Sequence, residues 1–214
     1  TVNGLTSVAI DGSAITTLTG TISAVDTALD AGVAGTITGL GNEAVTLTDT
    51  SGVAVATLNT LDGLTTGKIN AGTITTMSGA LTALNTAYAS NGITGLGNET
   101  LTVSDTGSVA ASDLNTLDTN TTGTVTAANL STITGMIAAA NSAYGSAGLT
   151  LGADEAITTD DTTANAEDLN TLNNYTSGVV NADSITTLTG TIADINTAFA
   201  ADVASSATIS GLGD

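Results

Sequence analysis

Leu58-Asn59-Thr60-Leu61-Asp62, LNTLD, decides how this chain is read. Its two leucines stand three apart, as one face of a helix requires, yet the Asn and Thr between them are mediocre helix formers. The phrase returns as LNTLD at 114–118 and LNTLN at 169–173, with relatives LNTAY at 84–88, ANSAY at 140–144, INTAF at 195–199 and VDTAL at 25–29. Residues kept in place against local preference must be held by something outside the phrase. Asn115 follows Asn59, and Asn141 follows Asn85, by about 56 residues, a period in the range of arrays and solenoids.

The separation of successive Asn anchors alternates between 26 and 29 or 30, so two related half-units alternate. The first reads GLGNEAVTLTDTSGVAVATLNTLDGLTTG from Gly39 to Gly67 and returns from Gly95 to Gly123. The second reads GTVTAANLSTITGMIAAANSAYGSAG from Gly123 to Gly148 and returns from Gly178. The organisation expected is one repeat array over 1–214: a partial repeat 1–38, repeats at 39–94, 95–148 and 149–210, and the start of another at 211–214. Opening and closing in mid-repeat implies a segment of something longer, or a subunit whose ends are completed by neighbours.

AVTLTD (44–49) and TLTVSD (100–105) alternate apolar residues with Thr and Ser, which predicts strands. Helices are expected to follow, N-capped by the Asp, Thr and Ser at 49–51, 105–108 and 160–163, with Val55, Leu58 and Leu61, and their counterparts, as the buried stripe. In the second half, Ile74, Met77, Leu81, Leu84 and Tyr88 have helical spacing, but the run ITTMSG is rich in β-branched residues and ends in Gly. A strand followed by a helix from about the Gly onward is the reading preferred there. Gly39, Gly41, Gly95, Gly97, Gly67, Gly123 and Gly178 are expected where the chain turns with positive φ.

One strand and a three-turn helix cannot enclose a core, whereas near-identical units stacked side by side can. The fold expected is therefore α/β: a repeat solenoid of stacked strand–helix units of about 26–30 residues, paired in the 56-residue repeat, with strands in a parallel sheet and helices as a second layer. An all-β solenoid is the alternative architecture. An Asn at one position per unit can bond the backbone of its neighbour, so Asn59, Asn85, Asn115, Asn141, Asn170 and Asn196 form the expected ladder, with Asp26 replacing Asn in the first copy.

Composition excludes much. One Lys against 20 acidic residues gives a net charge of −19, which repels nucleic-acid phosphates and anionic membranes. No apolar run approaches the roughly 20 residues of a membrane-spanning helix, and TVNGLTSVAI has neither the basic start nor the apolar core of a signal peptide. With His and Cys missing and the only Lys, Lys68, in a single repeat, no base is at hand to activate a Ser or Thr; a carboxylate pair is the one catalytic alternative, but acids recurring once per unit read as solvated surface, and no enzyme is expected. A single basic residue also leaves trypsin-like proteases one cleavage site, and strong acidity keeps a protein dispersed in salty water, both of which suit an extracellular location.

Asp49, Asp105, Asp160 and Asp161, near element ends, are candidate Ca²⁺ ligands, though no DxDxDG or GGxGxD loop accompanies them and helix capping is the simpler role. Calcium is thus the one candidate cofactor. GLGNE lacks the spacing of a phosphate loop and reads as a turn. Thr46/Thr48 and Thr100/Thr102 could form a hydroxyl array against ice.

The phrases ITGLGNEAVTLTDT, LNTLDGLTTG and ITTLTGTIADINTAFA resemble the repeats of giant cell-surface proteins of marine cyanobacteria, including those linked to motility, adhesion and surface layers. The resemblance covers nearly the whole chain. It implies secretion, a very long parent chain or polymer, and a mechanical or adhesive task, with no catalytic residue to transfer. The function expected is that of a structural protein forming a filament, fibre or surface coat, with end-to-end self-association or stacking on flanking repeats. An adhesin-type module binding polysaccharide, mineral or ice is the second expectation.

Overall fold

The computed structural model describes residues 2–203 and 206–213, so Thr1 and Asp214, where the sequence opens and closes in mid-repeat, lie outside them. Contacts group the chain into two units, the first running to Leu101 and taking in Thr121–Gly123, the second comprising Thr102–Asn120 and everything from Thr124. Among the described residues there are seven α-helices: α1 (Ile22–Val33), α2 (Val55–Leu64), α3 (Leu81–Ala89), α4 (Ala111–Asn120), α5 (Ile137–Gly145), α6 (Ala166–Asn173) and α7 (Ile192–Asp202). Short strands alternate with them and pair in parallel. The protein is therefore α/β. The all-β alternative is overturned because the leucines of LNTLD bury along a helical face: Val55, Leu58 and Leu61 of α2 are enclosed, as are Ala111, Leu114 and Leu117 of α4.

The second half resolves as a strand and then a helix. Thr17–Gly20, Thr76–Gly79, Thr132–Gly135 and Thr187–Thr189 are strands, and a helix begins within three residues of each. Val45 and Leu47, and Leu101 and Val103, point inward from strands Ala44–Leu47 and Thr100–Val103, with the intervening Thr exposed. This is the period-two pattern of a sheet with one face covered.

In the first unit, Thr17–Gly20 pairs with Ala44–Leu47, which pairs with Ile69–Asn70, which pairs with Ile93–Thr94. Ile10–Asp11 pairs with Ile37–Thr38, and Val53–Ala54 with Thr76–Gly79. In the second unit, Ser108–Ala110, Thr132–Gly135, Ala156–Thr159, Val180–Asn181 and Ile209–Ser210 pair in that order. Val125–Ala127 pairs with Leu149–Leu151, and Thr163–Asn165 with Thr187–Thr189. Several narrow sheets thus replace the single sheet expected.

Strand partners such as Val53 and Met77, or Val109 and Ile133, are mostly separated by about 24 residues, the same offset that the hydrogen bonds between neighbouring circuits span. The offset is 27 across α1, which at twelve residues is the longest of the described helices and takes in the first part of DAGVAGT at 30–36. The chain therefore comes back beside itself sooner than the spacing of the Asn anchors implied. Most circuits have three short runs, two extended and one helical. In the first unit, the circuit Thr17–Gly20, α1, Ile37–Thr38 has its helix second, whereas Ala44–Leu47, Val53–Ala54, α2 has it third. The second unit makes the same change between the circuits containing α5 and α6. A 56-residue repeat exceeds two 24-residue circuits by one run, which moves the helix to the next run once per repeat.

Gly39, Gly41, Gly95 and Gly97 have positive φ, as the turn reading requires. Gly67, Gly123 and Gly178 do not, and that expectation is corrected: a Cβ at each would collide with the carbonyl of Glu43, Glu99 or Glu155 in the preceding circuit. Close backbone approach, not handedness, demands Gly there. Gly67→Ala is expected to lower the unfolding free energy by about 1–3 kcal/mol in urea denaturation. Gly63→Ala, inside α2 with nothing within 4 Å of the added methyl, should raise it by about 0.5 kcal/mol.

Candidate functional site: the seams between circuits

Every letter of LNTLD has a partner. The leucines enter the core, and the Thr hydroxyl bonds the carbonyl four residues back: Thr60 to Ala56 at 2.9 Å, Thr116 to Ser112 at 2.8 Å, Thr171 to Glu167 at 2.9 Å. This removes a polar group that would otherwise favour non-helical backbone. The Asn amide crosses to the next helix. In the first unit Asn59 Nδ2 donates to Ala83 O of α3 at 2.9 Å. In the second, Asn115 donates to Ala139 O at 2.9 Å, Asn141 to Asp168 O at 3.0 Å and Asn170 to Asp194 O at 3.0 Å. Each acceptor lies two residues before the Asn of the helix that receives the bond. Asn85 is half-buried in α3, and Asn196, on α7, is exposed.

The Asp closes the seam. Ser90 Oγ donates to Asp62 Oδ2 at 2.6 Å and Ser146 Oγ to Asp118 Oδ2 at 2.7 Å, each Ser 28 residues on. Gly92 and Gly148, which follow those Ser residues, leave room where a Cβ would strike the carboxylate. The third copy has Asn173 in place of Asp and Ala201 in place of Ser, and the Asn173 amide oxygen is buried without a partner.

A second recurring acid escaped the sequence reading. Glu43, Glu99 and Glu155, the last residue of GLGNE and its variants, are fully buried. Glu43 Oε2 accepts the N–H groups of Gly41 at 2.8 Å and Asn42 at 3.1 Å; Glu99 does the same with Gly97 and Asn98. Glu155 accepts Gly152 N–H at 2.5 Å. Buried Thr65, Thr121 and Thr176 then donate to the Glu43, Glu99 and Glu155 carbonyls at 2.6–2.8 Å from the next circuit. Tyr88 Oη reaches Glu99 at 2.5 Å and Tyr144 Oη reaches Glu155 at 3.1 Å, each from 11 residues upstream. The corresponding position before Glu43 is Gly32, so no tyrosine serves that corner; Oε1 is buried without a partner in Glu43 and Glu99 alike, since Tyr88 shares Oε2 with the backbone donors. Recurrence once per long repeat, the signal that singled out Asn, would have found these acids.

Two of the four candidate calcium ligands cap helices, but not the ones expected. Asp49 Oδ2 accepts Ile22 N–H of α1 at 2.7 Å, and Asp161 Oδ2 accepts Ile137 N–H of α5 at 2.7 Å. They reach back one circuit instead of capping the helix that follows. Of the helices that follow, α2 has Ala54 as its N-cap residue and no side-chain cap, and α6 is capped by Asn165. The reason is geometric: a strand, Val53–Ala54 or Thr163–Asn165, intervenes before each following helix, while the earlier helix N-terminus lies alongside and offers a positive dipole end. Asp105 is half-buried and Asp160 exposed. No group of three or more metal-binding side chains exists among the described residues. Nor is any described helix long and apolar enough to cross a membrane. The Lys68 ammonium donates to the Asn91 carbonyl.

Comparison with protein-family models, with curated proteins and with solved structures finds no match in any of the three.

Asn115→Ala is expected to lower the unfolding free energy by about 1–2 kcal/mol, since Ala139 O loses its donor, whereas Asn196→Ala should change it by less than about 0.5 kcal/mol; chemical denaturation reads both. Burial, reinforced by the neighbouring Glu carboxylate, holds the Tyr88 and Tyr144 phenols above their ordinary value. The neutral phenols therefore favour the fold fully below about pH 10, and that contribution is lost as pH rises toward the folded values. Stability should fall above about pH 10, and the double variant Tyr88→Phe/Tyr144→Phe should show a shallower fall, followed by urea midpoint against pH.

Proposed function

We propose that this chain is a structural repeat protein of the cell exterior: an α/β solenoid whose circuits stack into a filament, fibre or surface coat. The observation that carries the reading is the seam. Four Asn amides, two Asp–Ser pairs and three Thr–Glu contacts each join one circuit to the next, and the side chains recurring in register serve cohesion. No catalytic role, metal or other cofactor is assigned, since each recurring acid is committed to a structural bond or lies at a surface without clustered ligands. Residues recurring once per repeat suit a protein whose task is repetition itself.

The resemblance to giant surface proteins of marine cyanobacteria supports an extracellular location and a mechanical or adhesive role, as do the charge of −19 and the single Lys. Partners on this reading are flanking repeats or further molecules joined end to end, with nucleic acid and membrane insertion disfavoured by charge and by sequence. A second reading, adhesion to polysaccharide, mineral or ice, is favoured by one feature. Thr19, Thr46, Asn70 and Thr94 stand in register across four strands of the first unit, all exposed and uncharged.

Sedimentation velocity over a hundredfold range of concentration, in salt that screens the acids, tests the structural reading. Concentration-dependent linear assembly is the expected result, and a monomer throughout would overturn it.

A further inference from the structure

The geometry points to a docking site on α7 for one kind of partner: a chain segment with the Thr-Asp pattern of residues 44–55, presented by a further repeat of this type. This inference rests on the stacked-repeat reading above and names what that reading leaves open, the surface and the chemistry that fills it.

Two helices in this protein already carry such an occupant. Ile22, the first residue of α1, is 6% exposed and Ile137, the first of α5, is 4% exposed. Both are covered by the circuit that follows, and both offer their N–H to an aspartate of that circuit, Asp49 or Asp161, at 2.7 Å. The covering segments have the same order: a strand with Thr facing out, an Asp, then a second short strand, Val53–Ala54 or Thr163–Asn165. Ile192 occupies the same first position of α7, after a Thr N-cap as in α1, and is 79% exposed. Among the described residues no carboxylate from another segment reaches its N–H.

The rest of that surface is unfinished in the same sense. Asn141 of α5 donates to the helix that follows, whereas Asn196, its counterpart on α7, faces solvent. Strands Thr187–Thr189 and Ile209–Ser210 are each paired along one edge only among the described residues. Beside them lies an open groove of mixed character, in which Ile185, Leu188, Phe199 and Leu212 are flanked by Asp183 and Thr186. An incoming segment of the stated pattern would continue both sheets, cover Ile192, and place its aspartate on the positive end of the α7 dipole, where a carboxylate is favoured even on so acidic a protein. Asp194, the acid in the first turn of α7, has its carboxylate held by the Thr191 hydroxyl at 2.5 Å. A nucleic acid or lipid surface offers no such match, having no strand edge to pair.

The test uses the intact chain and a synthetic peptide with the sequence of residues 44–65. Amide hydrogen exchange at Ile192–Ile195 should slow at least tenfold on saturation with the peptide. Carrying Asp49→Ala in the peptide should weaken binding about five- to tenfold, the usual loss when a helix cap is removed. The chain variant Ile192→Asp, at a site exposed enough to tolerate it, should lose the response. Absence of slowing at α7 in millimolar peptide, or equal slowing at α1 and α5, would overturn the proposal. Chains that assemble in the centrifuge while the peptide leaves α7 unprotected would reject this site and keep the structural reading; protection of α7 in chains that stay monomeric would do the reverse.

Discussion

A single circuit of this chain cannot bury its own apolar residues; the rest of the structure follows from that constraint. Two strands of two to four residues and a helix of eight to twelve leave every inward Leu, Ile and Val with one side open. Only the next circuit closes it. Burial of apolar surface supplies the drive, at about 25 cal/mol per Å², but it is indifferent to register. What sets the register is polar. An Asn amide, an Asp carboxylate and a Thr hydroxyl each find a specific acceptor or donor in the next circuit, and a slip by one residue would break all three at once.

That polar seam explains why poor helix formers persist inside helices. The Thr of LNTLD is neutralised within its own helix, whereas Asn and Asp act outside theirs. It explains too why an acidic chain tolerates three carboxylates at the centre of its corners. The loops before Glu43 and Glu99 turn their N–H groups onto the carboxylate, and glycines at 41 and 97 permit the positive φ this needs. A buried carboxylate held by backbone donors and a tyrosine hydroxyl fixes a corner in one conformation. The corner without a tyrosine, at Glu43, keeps the backbone bonds and loses the phenol.

The mismatch between repeat and circuit has consequences for a structural role. If repeat and circuit had the same length, all helices would share one run and all strands the others. Here the extra run per repeat brings the helix forward, so each unit contains both arrangements. Within the units, consecutive helices such as α2 and α3, or α4 and α5, pack side by side, and where the helix changes run, after α1 and after α5, Asp49 and Asp161 bridge the change. Cohesion is thereby spread over more than one run. No single strand stack has to bear it alone.

Much of this was legible without coordinates. Seven helices could be placed from the LNTLD relatives, because the 3.6 period of a buried stripe survives in any one copy and is reinforced by recurrence. The ladder Asn could be named because a polar residue repeated against its propensity implies a fixed partner. By itself, then, the amino-acid order determined the α/β elements, the 56-residue repeat and the Asn residues at the seams. Tertiary structure alone decided the 24-residue return and the partners of Asp49, Asp62 and Glu43. It alone decided that Gly67 is required by a neighbouring carbonyl. Those depend on which circuit lies against which, and the short strands that set the spacing, such as Val53–Ala54 and Ile69–Asn70, are only two residues long. Two residues carry no readable period; they become strands because a parallel neighbour offers hydrogen bonds.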